Sequence, residues 1–372
     1  MRAALLVFLL AIACGPIDES GAPSVIPPAP DGGTAGPPPP PPLVDGGVPD
    51  AGPVTGANDC DGVLPGKTDR GESATVPHSG GQACWYFTSD LAGDVAAEAH
   101  SGDGSSPSMN GAWHVWSANG SHLGSFNAGT NVLGQSAGFQ SAVKGALVAF
   151  TPDGRAARST PLDKGGCSAL AYNAVPGGTL VIDSCPGTLT AWRFDAQGNS
   201  LASRTIANAG NAWGLVDAQN RAFIVVADAN GRATARWYDA GLAPLSAPFG
   251  VPDVDGPVSI RPLVGGGAAL QIGGVWAGVS PSGSGSLDAP PAWLAAHSNF
   301  DVQLVRGGTA YVCLPKSGAP SRDTLDLVSA SGSSCGSLRF PISGLSMGPD
   351  GTVIGSSGDN GCTTTWWSAL LR

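Results

Sequence analysis

The chain has little charge, and positive charge is scarcest: its 372 residues hold 18 Lys and Arg against 28 Asp and Glu, a net charge of −10 with His neutral. No basic patch exists to displace counterions from phosphates, so nucleic acid is excluded as a partner. Long apolar runs are also missing. The longest, Ala3 to Ile12, is ten residues, about half of what crosses a bilayer as a helix. No segment carries the period of a long amphipathic helix, so helices are excluded as the main scaffold. Cys-x-x-Cys spacings are absent, and none of the five His stands four residues from another with a Glu between. Structural zinc sites and helical zinc-protease sites are therefore not expected, and neither metal nor cofactor is called for. What is abundant is turn chemistry: 56 Gly and 32 Pro favour many tight turns and an all-β fold.

The chain opens with one basic residue, Arg2, the apolar run, and small residues ending in Ala11-Ile12-Ala13-Cys14. This is the build of a secretory signal peptide over residues 1–13. The four residues resemble the bacterial lipobox, and the resemblance implies lipidation of Cys14. The small-x-small pair Ala11 and Ala13 also satisfies ordinary secretion, and Ala11 stands where a lipobox more often has leucine. Residues 15–58 favour the lipidated reading, since they contain no aromatic, Lys, Arg or His and include the proline run Pro37 to Pro42. Such a segment cannot bury enough apolar surface to offset its ordering entropy, and it suits a tether. At about 3 Å per residue, residues 14–58 hold a domain on the order of 100 Å from a membrane. Gly15 after the cysteine, by the same resemblance, implies outer-membrane sorting, on the periplasmic or the cell-surface side.

From residue 59 to 372 one short pattern recurs: an apolar or aromatic residue, then Ser, Thr or Asp, then Ala or Pro, then usually one residue and Gly. The instances are Trp116-Ser-Ala-Asn-Gly120, Phe150-Thr-Pro-Asp-Gly154, Phe194-Asp-Ala-Gln-Gly198, Tyr238-Asp-Ala-Gly241, Val279-Ser-Pro-Ser-Gly283, Val328-Ser-Ala-Ser-Gly332 and Trp367-Ser-Ala369. They are spaced by 34, 44, 44, 41, 49 and 39 residues. The Ser, Thr or Asp oxygen can bond the backbone two residues on, Ala or Pro accepts the αR position, and Gly supplies positive φ, so each instance closes a hairpin. Alternating flanks such as Ala233-Thr-Ala-Arg-Trp-Tyr238 read as strands. Further hairpin signals at Val216-Asp-Ala-Gln-Asn220 and Met347-Gly-Pro-Asp-Gly351 give two hairpins, hence four strands, per repeat. A period near 42 with four strands resembles a β-propeller blade, without the Trp-Asp or kelch signatures. The expected fold is all-β, a propeller of seven four-stranded blades. Six or eight blades stay open because the second repeat is short, and a pair of irregular β-sandwiches is the other architecture. The last repeat lacks a fourth strand, and Glu72 to Val76 is the expected donor, closing the ring by strand exchange.

Eight Cys fit an exported protein. Cys167 pairs with Cys185 in adjacent strands on this reading, and Cys60 with Cys84; Cys313, Cys335 and Cys362 stay unassigned. Gly134-Gln-Ser136-Ala-Gly138 matches the nucleophile-elbow pattern but has no following helix, so no catalytic residue is assigned. Asp228-Ala-Asn-Gly231 and Asp350-Gly351 lack the rest of a calcium loop and serve hairpins. Trp113, Trp116, Trp192, Trp237, Trp366 and Trp367 fall in the strand before the repeated turn and are expected in the inter-blade core. Trp85, Trp213, Trp276 and Trp293 escape that position and are the candidates for stacking on a ligand. Two functions stay open: a monomeric, membrane-tethered module binding an envelope protein, peptide or glycan, or an envelope polysaccharide hydrolase or lyase whose residues come from separate blades. Carboxylates or histidines converging in the channel would mark the second.

Overall fold

In the computed structural model of the chain, the described residues are Cys60 and those from 71 to 371, apart from segments at 77–82, 101–110, 163–167, 174–177, 255–257, 281–286, 305–309, 316–321 and 358–362 and a few single or paired positions. The expected signal peptide, Cys14 and the tether lie outside them. The chain divides into two compact units, residues 1–54 and 55–372.

Twenty-eight strands in the second unit form seven four-stranded antiparallel sheets. The first strand, β1 (Glu72–Thr75), belongs to the last blade, and blade 1 holds β2 (Ala83–Ser89), β3 (Val95–His100), β4 (Gly111–Trp116) and β5 (His122–Ala128). Blade 2 holds β6 (Val132–Gly134), β7 (Phe139–Val143), β8 (Ala146–Phe150) and β9 (Ala156–Pro161). Blade 3 holds β10 (Ser168–Asn173), β11 (Thr179–Cys185), β12 (Thr188–Phe194) and β13 (Ser200–Ala207). Blade 4 holds β14 (Asn211–Val216), β15 (Ala222–Ala227), β16 (Ala233–Tyr238) and β17 (Phe249–Val251). Blade 5 holds β18 (Val258–Pro262), β19 (Ala268–Ile272), β20 (Val275–Val279) and β21 (Leu287–Asp288). Blade 6 holds β22 (Phe300–Leu304), β23 (Ala310–Pro315), β24 (Thr324–Ser329) and β25 (Ser334–Arg339). Blade 7 holds β26 (Ser343–Met347), β27 (Val353–Ser357) and β28 (Thr363–Trp367), and its outer strand is β1 (Glu72–Thr75).

The fold is a seven-bladed β-propeller closed by strand exchange. β1 pairs antiparallel with β28 from Glu72↔Trp366 to Thr75↔Thr363, with the donor strand where the sequence predicted it. Closure is also written in the core, which falls into seven apolar clusters, one for each junction between neighbouring blades. The last junction packs Ile354 and Trp366 of blade 7 on Val95, Ala97 and Trp116 of blade 1. Each sheet thus buries both faces only by stacking on neighbours, and strand alternation decides which side chain goes to which neighbour. The six tryptophans expected in the core are all buried, from 0 % exposed for Trp237 and Trp366 to 8 % for Trp192.

Every instance of the repeated pattern follows the third strand of a blade. In blades 1, 2, 3 and 6 the Gly N–H donates to the carbonyl of the Ser, Thr or Asp three residues earlier, at 2.9 to 3.0 Å. Those glycines, 120, 154, 198 and 332, have φ between 78° and 92°, and a one-residue register shift follows in each blade. Each is a tight turn closed by a glycine at positive φ, followed on the fourth strand by a β-bulge at Leu123, Ala157, Leu201 or Cys335. In blade 4 the positive φ falls on Leu242 (60°), not on Gly241; the strained leucine is 1 % exposed in the junction core, where its burial holds it.

Two features depart from expectation, the first in the disulfides. Cys60 does not join Cys84: it is bonded to Cys335 on β25, 275 residues away. Cys84 lies on the innermost strand of blade 1, whereas Cys335 lies on the outermost strand of blade 6. Cys185 is disulfide-bonded, and its expected partner Cys167 lies outside the described residues, as does Cys362. The second departure is α1 (Ala292–Ala296), a single helical turn after the two-residue β21. It buries Leu294 in the blade 5–6 junction where the rest of an outer strand would run.

Candidate functional site

In an antiparallel meander the connection from the first to the second strand and that from the third to the fourth leave from the same end. The repeated turns and the inner turns therefore share one face of the ring, and their side chains tie neighbouring blades together. Asp90, after β2, accepts from Ala92 and Asp94 N–H through Oδ1, and its Oδ2 accepts from Gly138 N–H of blade 2 at 2.6 Å. Gln135, after β6, grips blade 3: its Oε1 accepts from Gly178 N–H at 2.8 Å and its Nε2 donates to Thr179 Oγ1 at 3.2 Å. Asp217, after β14, caps its own turn through Gln219 and Arg221 N–H, pairs with the Arg221 guanidinium at 2.6 Å, and accepts from Gly267 N–H of blade 5. Val264 N–H donates to the Tyr311 hydroxyl of blade 6, and Ser89 donates to Asp350 of blade 7 across the closing junction. Burial pushes the Asp90 carboxyl up to about 6 against these backbone donors.

This arrangement settles several sequence features. Gly134-Gln-Ser-Ala-Gly138 is the inner turn between β6 and β7, with no helix after it and Gly138 at φ 92°, so it is a hairpin and not a nucleophile elbow. Asp228 caps its own turn through Asn230 and Arg232 N–H, and Asp350 accepts from Thr352 N–H. The role of Gln135 was missed; its place directly after an inner strand, where blades 1 and 4 carry Asp90 and Asp217, is the signal that could have found it.

The central channel is bordered by the innermost strands β2, β6, β10, β14, β18, β22 and β26. On neighbouring β18 and β22, Arg261 Nη2 meets Asp301 Oδ1 at 2.9 Å, and Gln303 Nε2 donates to Asp301 Oδ2 at 3.2 Å. Arg261 also donates to the Ile260 carbonyl, while its Nε has no partner among the described residues. Asp301 is 41 % exposed on its side chain, so this polar group is open to solvent. It offers a guanidinium, a carboxylate and an amide for binding a polar group. Among the described residues of the innermost strands Asp301 is the one carboxylate and no His occurs. Among all described residues no three of His, Cys, Asp and Glu gather as a metal site.

The four candidate tryptophans are not brought together. Trp213 sits half-buried on innermost β14. Trp276 is 9 % exposed on β20, and Trp293 on α1 lies 4.5 Å from the Tyr311 ring; both belong to the blade 5–6 junction. Trp85 lies on β2 at a register shift, and its side chain is outside the described residues. Only Trp213 keeps a position suited to a channel ligand.

A second polar group lies on the outer half of blade 1. His114 Nδ1 on β4 and His122 Nε2 on β5 stand 3.4 Å apart, with Trp116 against both rings.

No protein-family model matches the chain, and no curated protein matches it. Solved structures do. The chain is similar to BBS1N, crystallised in complex with ARL6DN, at 14 % identity over 83 % of this chain and 96 % of that one, with a TM-score of 0.45. Virginiamycin B lyase from Staphylococcus aureus matches at 10 % identity over 80 % and 99 %, TM-score 0.49. A chain of the mitotic checkpoint complex matches at 12 % identity over 82 % and 94 %, TM-score 0.47. At such identities the likeness is one of fold.

Proposed function

We propose that this chain is a lipid-anchored protein of the bacterial cell envelope whose propeller is a non-catalytic binding module for another envelope component. The observation that carries the reading is how the carboxylates are used. Asp90, Asp195, Asp217, Asp228, Asp239 and Asp350 each accept N–H groups of their own turns, and three of them also bind a neighbouring blade. Carboxylates committed in this way build a rigid face and are not free for general acid–base work, which needs a proton carrier able to exchange with substrate. A rigid face suits recognition, because little entropy is lost on binding. The tether extends the module's reach from the membrane.

The test has two arms. The protein should fractionate with membranes and Cys14→Ala should not, even at high salt, where electrostatic adsorption is screened. Purified protein should bind isolated envelope material and turn nothing over. Release of reducing ends or peptides, abolished by Asp301→Asn, would overturn the binding reading in favour of the hydrolase or lyase.

A further inference from the structure

The strand pair β4–β5 carries a feature that the other blades do not. The bulge after the blade 1 turn sets Trp116 opposite His122, where unshifted pairing would give Leu123. Cross-strand partners share a sheet face, and His114, two residues before Trp116, lies on that same face. His114 and His122 thus become diagonal neighbours. The matching bulges in blades 2, 3 and 6 set Ala156, Ser200 and Ser334 in the place of His122.

We propose that His114 and His122 form a surface site for a single divalent transition metal of the zinc type. Two imidazole nitrogens bound at 2.0–2.1 Å in a tetrahedral shell stand about 3.3 Å apart. The observed separation is 3.4 Å. A cis pair in a square-planar shell of similar bond length needs about 2.9 Å, so the spacing fits zinc better than copper(II). The rings are 5.7 Å apart with an interplanar angle of 40°, and the facing nitrogens share a hydrogen bond that a metal ion would replace. Trp116, 4 % exposed, fixes both: its ring centroid is 6.0 Å from His114 and 5.7 Å from His122. That contact removes most of the rotamer entropy that metal binding would otherwise cost. His122 is exposed, which leaves water or a ligand group to fill the other two positions. The Glu72 carboxylate reaches Gly120 in the same turn, and together with the net charge of −10 it sets an attractive field for a cation.

Zinc titration of the full chain by equilibrium dialysis, with cobalt(II) absorption as the report on geometry, tests this. One equivalent should bind, with the visible bands of tetrahedral cobalt. His122→Ala and His114→Asn should each weaken binding about tenfold or more, whereas His297→Ala should not. His122 is exposed, so its replacement leaves the fold intact, and circular dichroism checks the His114 variant. Absence of stoichiometric zinc binding, or binding unchanged in the double variant, would overturn the proposal.

Discussion

Glu98 offers the sharpest physical test of the blade junctions. Its side chain is 0 % exposed on β3, with Tyr86 and Trp113 as cross-strand neighbours, on the sheet face that packs against blade 2. Burial pushes its carboxyl from 4.5 to about 7. The folded protein therefore holds a proton that the unfolded chain gives up as pH rises past 4.5. The corresponding stability is present below that pH and is lost as pH climbs through about 7. At 1.36 kcal/mol per pH unit, a displacement of this size is worth about 3 kcal/mol. Glu98→Gln keeps the shape and removes the titration. Urea unfolding of both proteins, followed by tryptophan fluorescence at pH 4 and pH 8, isolates the effect in the difference, because contributions such as that of Asp90 cancel. Relative to wild type, the variant should gain about 3 kcal/mol between the two pH values, with equal m-values. Parallel pH profiles, or a wild type that gains on the variant as pH rises, would refute the argument, since either would mean that the junction stabilises the carboxylate and not the acid.

Arg193 is 1 % exposed, donates from Nη2 to Asn220 Oδ1 at 2.5 Å, and finds no acceptor for Nε and Nη1 among the described residues. A buried cation so poorly satisfied costs more than it returns, and Arg193→Met should leave stability unchanged or raise it by up to about 4 kcal/mol; a loss above about 2 kcal/mol in urea unfolding would contradict this. Gly332 has φ 92°, and a Cβ there would sit 2.3 Å from Trp293 Cδ1. Gly332→Ala should cost about 2 kcal/mol or more and shift tryptophan emission, while an unchanged melting temperature would count against the packing described for α1.

The sequence made the ring legible because the same local physics repeats. Seven copies of one turn pattern fix the end of each third strand, and the unfilled place beside Thr363–Trp367 leaves Glu72–Thr75 as the only spare strand nearby. Turn residues, strand alternation and strand count are local or arithmetic. The disulfide was not legible: Cys60 and Cys335 are 275 residues apart in the sequence, and only the folded ring brings them together. Leu242 escaped for a related reason, since a buried leucine overrides the usual preference for glycine at positive φ only once the junction core exists. The channel group Arg261, Asp301 and Gln303 and the pair His114 and His122 are likewise products of registry, between blades in the first case and across a bulge in the second. No spacing along the chain encodes either.

On the proposed reading, in which the domain hangs from an N-terminal tether, the position of the Cys60–Cys335 bond has a mechanical meaning. β1 is the first strand of the propeller in the chain and the outermost of blade 7, held by four residue pairs to β28 alone. Tension entering from the tether would otherwise act on β1 directly and peel it, opening the ring at its one non-sequential seam. Cys60 precedes β1, so the bond carries that load to β25 of blade 6 and leaves β1 slack. The bond also encloses the chain between positions 60 and 335, a separation of 275 residues, which cannot lengthen under force while it is intact. At about 3.5 Å per residue this hides on the order of 950 Å of contour. In single-molecule pulling between the tether and residue 372, Cys60→Ala should detach β1 at low force and release that extra contour on full unfolding, whereas the oxidised wild type should do neither. Identical traces for the two proteins would show that the bond does not lie in the load path.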